Sequence, residues 1–221
     1  MSQSNQRAGR REFTATTHAT SYSHISPLSS DLSGRRVLIT GAAWEDGVGY
    51  ATALAFARAG ASFIALADLH EISPPLISQL TAPATEAGRS ERLIITGIVD
   101  ISKLESAAAF QETVSKAFGS HLDILINKAA HQEPYASILD SGPEIYWRSV
   151  SILMTVKEPE AVRERLPHKP EIAGDTICWL ASERREWLGG GYVSCPWDME
   201  ELVGRREEIV EWDKLKVRMM F

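Results

Sequence analysis

The amino-acid sequence predicts an α/β fold built on a doubly wound parallel sheet, truncated in its second half. Three observations carry this. Short β-type runs alternate with longer helical ones from Asp31 to Asn127. A glycine-bracketed loop, TGAAWEDGVG at 40–49, stands directly behind the apolar run Val37-Leu38-Ile39. The alternation then stops after Asn127, where prolines at 159, 167 and 170 interrupt a stretch with no clear strand. Strands separated by helices at this spacing form βαβ units, whose crossovers generate a parallel sheet covered on both faces.

The first strand is RVLIT at 36–40, and a helix follows from about Gly47 to Ala59. In that helix Val48, Ala51, Leu54 and Ala55 fall close to one apolar face, and Gly60 stops it. FIALA at 63–67 is the second strand, ending at Asp68. The segment 73–87 is partly helical, with Pro74 and Pro75 tolerated near its start. LIITGIV at 93–99 is the third strand, ending at Asp100. A helix over Lys103 to Phe118 is expected to bury Leu104, Ala107, Ala108, Val114 and Phe118. DILIN at 123–127 is the fourth strand. Beyond it the sequence predicts a helix start at 141–150, a helix at about 171–182, a short strand at 191–195 and an amphipathic charged helix at about 198–216.

The chain has 221 residues, 44% hydrophobic and 24% charged, as expected of one ordinary globular domain. A net charge of −6 supplies no basic stripe for a phosphate backbone, so nucleic acid is not an expected partner and a small molecule or dinucleotide is. Cys178 and Cys195 form no CxxC and lack a nearby His pair, which points away from a disulfide framework and from a metal site. No apolar run approaches the ~18 residues that span a bilayer, so no membrane role is expected and a cytoplasmic location is. Residues 1–30 carry Arg7, Arg10 and Arg11, many Ser and Thr, and one acid, Glu12. That composition suits a disordered N-terminal arm over 1–31, followed by a single domain over 32–221. It also suits a mitochondrial presequence, which leaves the matrix open as a location.

The glycine loop carries the chemistry. Gly41, Gly47 and Gly49 follow a strand and open a helix, the placement at which a backbone turns sharply and approaches a pyrophosphate with no Cβ in the way. The helix N–H groups then face the anion. Asp68 stands 19 positions after Gly49, at the end of the second strand, where a carboxylate accepts hydrogen bonds from ribose hydroxyls. The plainer role for Asp68 is to cap the following turn.

Residues 32–130 resemble the N-terminal half of a short-chain dehydrogenase/reductase. Members of that family carry TGxxxGxG, a selector residue after the second strand, an Asp after the third, and NNAG after the fourth. Here these stand as TGAAWEDGVG, Asp68, Asp100 in VDI, and NKAA at 127–130. The resemblance implies a Rossmann-like fold in which 32–130 is the dinucleotide-binding half and 131–221 a shortened C-terminal part. It implies NAD(P)(H) as cofactor, held by Gly41, Gly47, Val48 and Gly49, with Asp100 and Ile101 flanking the adenine and Asn127 beside the cofactor. Two departures stand out: the loop is two residues longer than usual, and Lys128 and Ala130 replace an amide and a glycine.

Relatives that use NADP place basic residues near the 2′-phosphate, whereas this chain offers Glu45, Asp46 and Asp68. A carboxylate about 6 Å from a phosphate charge costs about 0.7–3 kcal/mol, which favours NAD if those side chains face the ligand. Glu45 and Asp46 pointing to water is the other reading.

The family's carbonyl and hydroxyl chemistry uses a serine, a tyrosine and a lysine four residues after the tyrosine. Four residues after Tyr22, Tyr50, Tyr135, Tyr146 and Tyr192 stand Ser26, Leu54, Leu139, Val150 and Pro196. None is lysine, so no catalytic residue is assigned. Tyr192, in GGGYVSCP, reads as part of a short strand after a glycine turn. Residues 173–202, with the phrase SERREWL, resemble the closing helix and last strand of fungal members of the family. The interval between Val150 and Glu171 is 20 residues, too short for the strands and long helix that carry the catalytic residues. The resemblance therefore implies a small-molecule oxidoreductase of fungal secondary metabolism whose catalytic middle is deleted; a non-catalytic dinucleotide-binding or interaction protein is the alternative. It leaves a homo-oligomer open. GxSxG, HExxH and GxxxxGK[ST] are all absent. His131, Glu133 and Tyr135 follow the fourth strand closely enough to reach a nicotinamide, and Trp179, Trp187 and Trp197 read as core or interface residues.

Overall fold

A computed structural model describes residues 13–86, 92–130 and 168–216. Four parallel strands make its sheet: β1 (Arg36–Thr40), β2 (Phe63–Asp68), β3 (Leu93–Ile98) and β4 (Ile124–Ile126), in the order β3-β2-β1-β4. Helix α1 (Val48–Arg58) joins β1 to β2, α2 (Pro74–Glu86) joins β2 to β3, and α3 (Leu104–Phe118) leads to β4. The chain thus steps outward from β1 twice and then crosses to β1's other side. The sheet reverses its winding between β1 and β4, the place at which open α/β sheets bind ligands beyond the strands' C-terminal ends.

Register divides the strand residues between two faces. Val37 pairs with Ile64 and Ile124, and these pack with Ile39, Leu66 and Ile94 against α1 and α2. Leu38 pairs with Ala65, which pairs with Ile95, and this face meets Phe110, Val114 and Phe118 of α3. Gly97 lets α3 approach, since a Cβ there would stand 2.4 Å from the Phe110 ring.

The expected buried face of α3 needs correction. Leu104 is 84% exposed and Ala108 is exposed. The face that packs runs through Phe110, Val114 and Phe118, and at 100° per residue Leu104 and Ala108 project about 80° and 120° from its centre.

Helix α4 (Pro170–Ser182) covers α1, so that α1 is buried between α4 and the sheet. Gly174 makes this approach close: a Cβ at that position would lie 2.6 Å from the Ala51 carbonyl carbon. On its other side α4 contributes Ile172 and Trp179 to a second apolar cluster with Leu188, Trp197, Met199, Leu202 and Ile209.

Residues 13–31 do not form a disordered arm. Ile25 is 1% exposed in the second cluster, and Phe13 and Tyr22 pack against it. The polar groups of this segment find partners on the tail. Glu201 Oε2 accepts from the backbone N–H groups of Ala15 (2.7 Å) and Thr16 (3.2 Å), His18 Nε2 meets Asp198 Oδ2 at 2.7 Å, and Met199 N–H donates to the Tyr22 hydroxyl at 2.7 Å. Burial of a few large side chains, with these bonds, offsets the entropy of ordering that composition alone left uncompensated.

Two tail expectations also change. Residues 191–195 are not a strand, since among the described residues no strand pairs with them; Tyr192 N–H donates instead to the Leu215 carbonyl, and Thr17 and Trp197 form an isolated antiparallel bridge. The helix expected over 198–216 is two short ones, α5 (Met199–Gly204) and α6 (Arg206–Glu211). The break falls at Arg205, whose ψ of 15° leaves the helical range just after a glycine. The helix start expected at 141–150 lies outside the described residues.

Candidate cofactor site

The glycine loop sits where β1 and β4 part. Gly41 has a φ of +77°, and a Cβ there would stand 2.9 Å from the Ala129 Cα, so the loop and the segment after β4 touch backbone to backbone. Gly49 lies under Gly41, since its Cβ would meet the Gly41 carbonyl oxygen at 2.1 Å. Gly47 caps α1, and its N–H donates to the Trp44 carbonyl at 2.9 Å. Gly41 and Gly49 are thus required by the chain's own packing, whereas a Cβ at Gly47 would meet only a tight contact, 3.0 Å to the Trp44 carbonyl oxygen. Helix α1 opens at Val48 with no side-chain cap, which leaves the N–H groups of its first turn to an outside acceptor.

Asp68 ends β2 beside this loop and is only 7% exposed. Its Oδ2 accepts from the Ala43 N–H at 3.0 Å and its Oδ1 from the His70 N–H at 3.0 Å. The plainer capping role is therefore filled by one oxygen, and the other fixes the glycine loop. An ionised carboxylate offers about four lone-pair sites, so acceptor capacity remains for a ribose. The His70 ring packs edge-on against Trp44, 5.5 Å between centroids, over the same corner. Glu45 and Asp46 are exposed. Glu45 Oε1 accepts from Gln79 Nε2 at 3.2 Å, and Gln79 Oε1 lies 3.0 Å from the buried Tyr50 hydroxyl, which ties the loop to α2.

Asp100 and Ile101 follow β3 on the same edge of the sheet. The Val99 N–H donates to the Asp68 carbonyl at 2.7 Å, which joins the two strand ends. The Asp100 carboxylate turns into the entrance of α3: Oδ1 accepts from the Ser102 hydroxyl (2.6 Å) and N–H (3.0 Å), and Oδ2 lies 3.2 Å from Lys103 Nζ. These Ser102 bonds first, then Lys103, hold its carboxyl below the usual aspartate range. Ile101 is exposed.

After β4, Asn127 is exposed, while the N–H groups of Lys128 and Ala129 both donate to Thr40 Oγ1, at 3.1 and 3.0 Å. Thr40 is a positioning residue that sequence reasoning missed, although a hydroxyl at the end of a buried strand, heading a glycine loop, was a signal for it. Lys128 also holds an unexpected place, its Cδ 3.0 Å from where a Gly41 Cβ would stand.

None of the described tyrosines reaches this edge as an acid. Tyr50 is buried against α2, Tyr22 belongs to the second cluster, and Tyr192 stands edge-on to Trp197. Trp179 and Trp197 are buried in that cluster, with Trp187 packed against it. His131, Glu133 and Tyr135 lie outside the described residues. No described helix is long and apolar enough to cross a membrane.

A parallel sheet with a glycine loop at its switch point belongs to the Rossmann-like α/β class. Residues 41–157 match the family profile described as enoyl-(acyl carrier protein) reductase, and the chain belongs to the short-chain dehydrogenase/reductase family. It is similar to the short chain dehydrogenase pigC of Monascus ruber, 26% identical over 96% of this chain and 95% of that one. It is similar also to the short chain dehydrogenase mpl6 of Monascus purpureus, 27% identical over 92% and 95%. Those alignments run to 293 and 281 positions, longer than the 221 residues here, so both relatives carry residues with no counterpart in this chain. Among solved structures, levodione reductase is 26% identical over 55% of this chain and 44% of that one, with a TM-score of 0.44.

Proposed function

We propose that this chain binds a nicotinamide dinucleotide, NAD(P)(H), between the glycine loop and Asp68, in the framework of an oxidoreductase acting on a carbonyl or hydroxyl of a small molecule in fungal secondary metabolism. The observation that carries the reading is the uncapped start of α1 at the β1/β4 switch point, with the Asp68 carboxylate fixed to the glycine loop. The first-turn N–H groups at Val48 and Gly49 would hold the pyrophosphate, and Gly41 and Gly47 would admit it. Asp68 would accept from the adenosine ribose and favour NAD over NADP; Asp100 and Ile101 would flank the adenine, and Asn127 would lie on the nicotinamide side. The bound dinucleotide supplies a hydride donor or acceptor. This chain's part is to bind and orient it. Titration of the purified protein with NADH, followed by fluorescence, tests the reading. Saturable binding that Gly49→Ala abolishes is expected, and no binding up to millimolar NADH overturns it.

A specific observation favours a second reading, a binder without hydride transfer. No tyrosine has a lysine four residues on, and the fungal relatives hold residues that this chain lacks. A screen of carbonyl substrates with bound NADH separates the two readings: turnover favours the enzyme, and binding without turnover favours the binder.

A further inference from the structure

The family pattern puts an amide where this chain has Lys128, and the structure gives that lysine a defined position. Its N–H donates to Thr40 Oγ1, which ties its backbone to the end of β1. Its side chain lies beside Gly41, with Cδ 3.0 Å from where a Cβ would stand. The stem of Lys128 therefore runs beside the glycine loop. It is half-buried, and among the described residues it forms no ion pair. Burial pushes its pKa down, and the nearby Asp68 charge opposes that shift. A partly desolvated ammonium is unfavourable unless an anion stands close to it.

The geometry points to Lys128 as a phosphate-binding residue of the dinucleotide site, its ammonium reaching across Gly41 to the phosphate groups and offsetting the charge of Asp68. This rests on the dinucleotide-binding reading above. It adds that the acidic selector is partly neutralised from the opposite strand, so that NADPH is tolerated better than Asp68 alone would allow. Glu45 sharpens this, because it is turned toward Gln79 on α2.

The test titrates NADH and NADPH into the full chain and into Lys128→Asn and Lys128→Arg, at low and high salt, with Tm measured for each protein. Lys128→Asn restores the family's amide. Loss of one charge-assisted contact is expected to weaken NADH about tenfold or more, to weaken NADPH further, and to flatten the salt dependence. Lys128→Arg, which keeps the charge, is expected to bind within a few-fold of the parent. If Lys128→Asn binds NADH as well as the parent or better, the lysine is a plug rather than a contact and the inference falls while dinucleotide binding stands. If Lys128→Arg loses as much as Lys128→Asn, the stem's packing on Gly41 is what mattered, and the inference falls again. If neither parent nor variants bind, the dinucleotide reading itself is wrong.

Discussion

The Asp68 carboxylate and the Ala43 N–H stand 3.0 Å apart, so the end of β2 holds the middle of the glycine loop. Because the other oxygen accepts from His70, two backbone donors converge on one side chain. Asp68→Asn offers a single acceptor to these two donors and turns an amide N–H₂ against one of them. The expected loss of stability is about 1–3 kcal/mol, the cost of a buried unpaired donor. Urea unfolding measures it. NADH affinity should drop with it, while the ratio of NADPH to NADH affinity rises; an unchanged ratio removes Asp68 as the selector.

Gly49→Ala puts a methyl 2.1 Å from the Gly41 carbonyl oxygen, a backbone atom that cannot swing aside. Overpacking of this kind costs about 1–3 kcal/mol and displaces the loop from α1. Gly34→Ala is the matched control: its φ is +80° but its surroundings are open, so it pays about 1–2 kcal/mol of backbone strain and leaves NADH binding intact. Thermal melts and NADH titrations on both variants separate loop geometry from stability.

Gly174→Ala acts where α4 meets α1. The added Cβ lies within 2.8 Å of Ala51 and Thr52 backbone atoms, so the two helices must separate. A destabilisation of about 1–3 kcal/mol is expected, seen as a lower urea midpoint. Equal midpoints for the two proteins would mean that the helices have slack at this crossing.

The tail responds to acid and the α4 carboxylate to base. Hydrogen bonds from Arg205, then Lys214, draw Glu208 from its ordinary 4.5 to about 2. A carboxylate depressed in the folded state adds stability that is complete above about pH 4.5 and is lost as pH falls toward 2. Tryptophan fluorescence from Trp179 and Trp197 should report this acid loss, with a flatter slope in Glu208→Gln. Asp175 has the opposite sign. It is 4% exposed, and burial raises its carboxyl pKa against the opposing hydrogen bond from Ser21. Stability from that group is lost as pH climbs through its folded pKa, so Asp175→Asn should raise Tm at pH 7, by roughly 2–4 °C. A lower Tm would show that the Arg58 charge outweighs the burial.

The strands and helices of residues 36–126 were legible because their periodicity is local: a buried run, a helical face and a stop such as Gly60 each declare themselves within a dozen residues. The tail was legible only where this held. Residues 191–195 have strand composition, but a strand exists only beside a partner, and which edge is available is not written in the segment itself. The order of residues 13–31 likewise depends on Asp198 and Glu201, far along the chain. At the site, the glycines and Asp68 were readable from spacing. Thr40 left one signal, a hydroxyl heading the glycine loop, and the place of Lys128 left none, because it follows from how closely β4's exit passes Gly41, a distance that no motif encodes.

The seating of residues 13–25 against the tail bears on the order in which the molecule is made. Ala15 and Glu201 are 186 positions apart, so the first described segment to leave the ribosome cannot take its native partners until nearly all the rest has followed. The sheet's pairings span fewer positions, 27 from Arg36 to Phe63 and 87 from Val37 to Ile124, and their partners are made before the tail is. Phe13, Tyr22 and Ile25 pack with side chains made later, between Ile172 and Ile209, so the N-terminal segment is the clasp of the fold rather than its beginning.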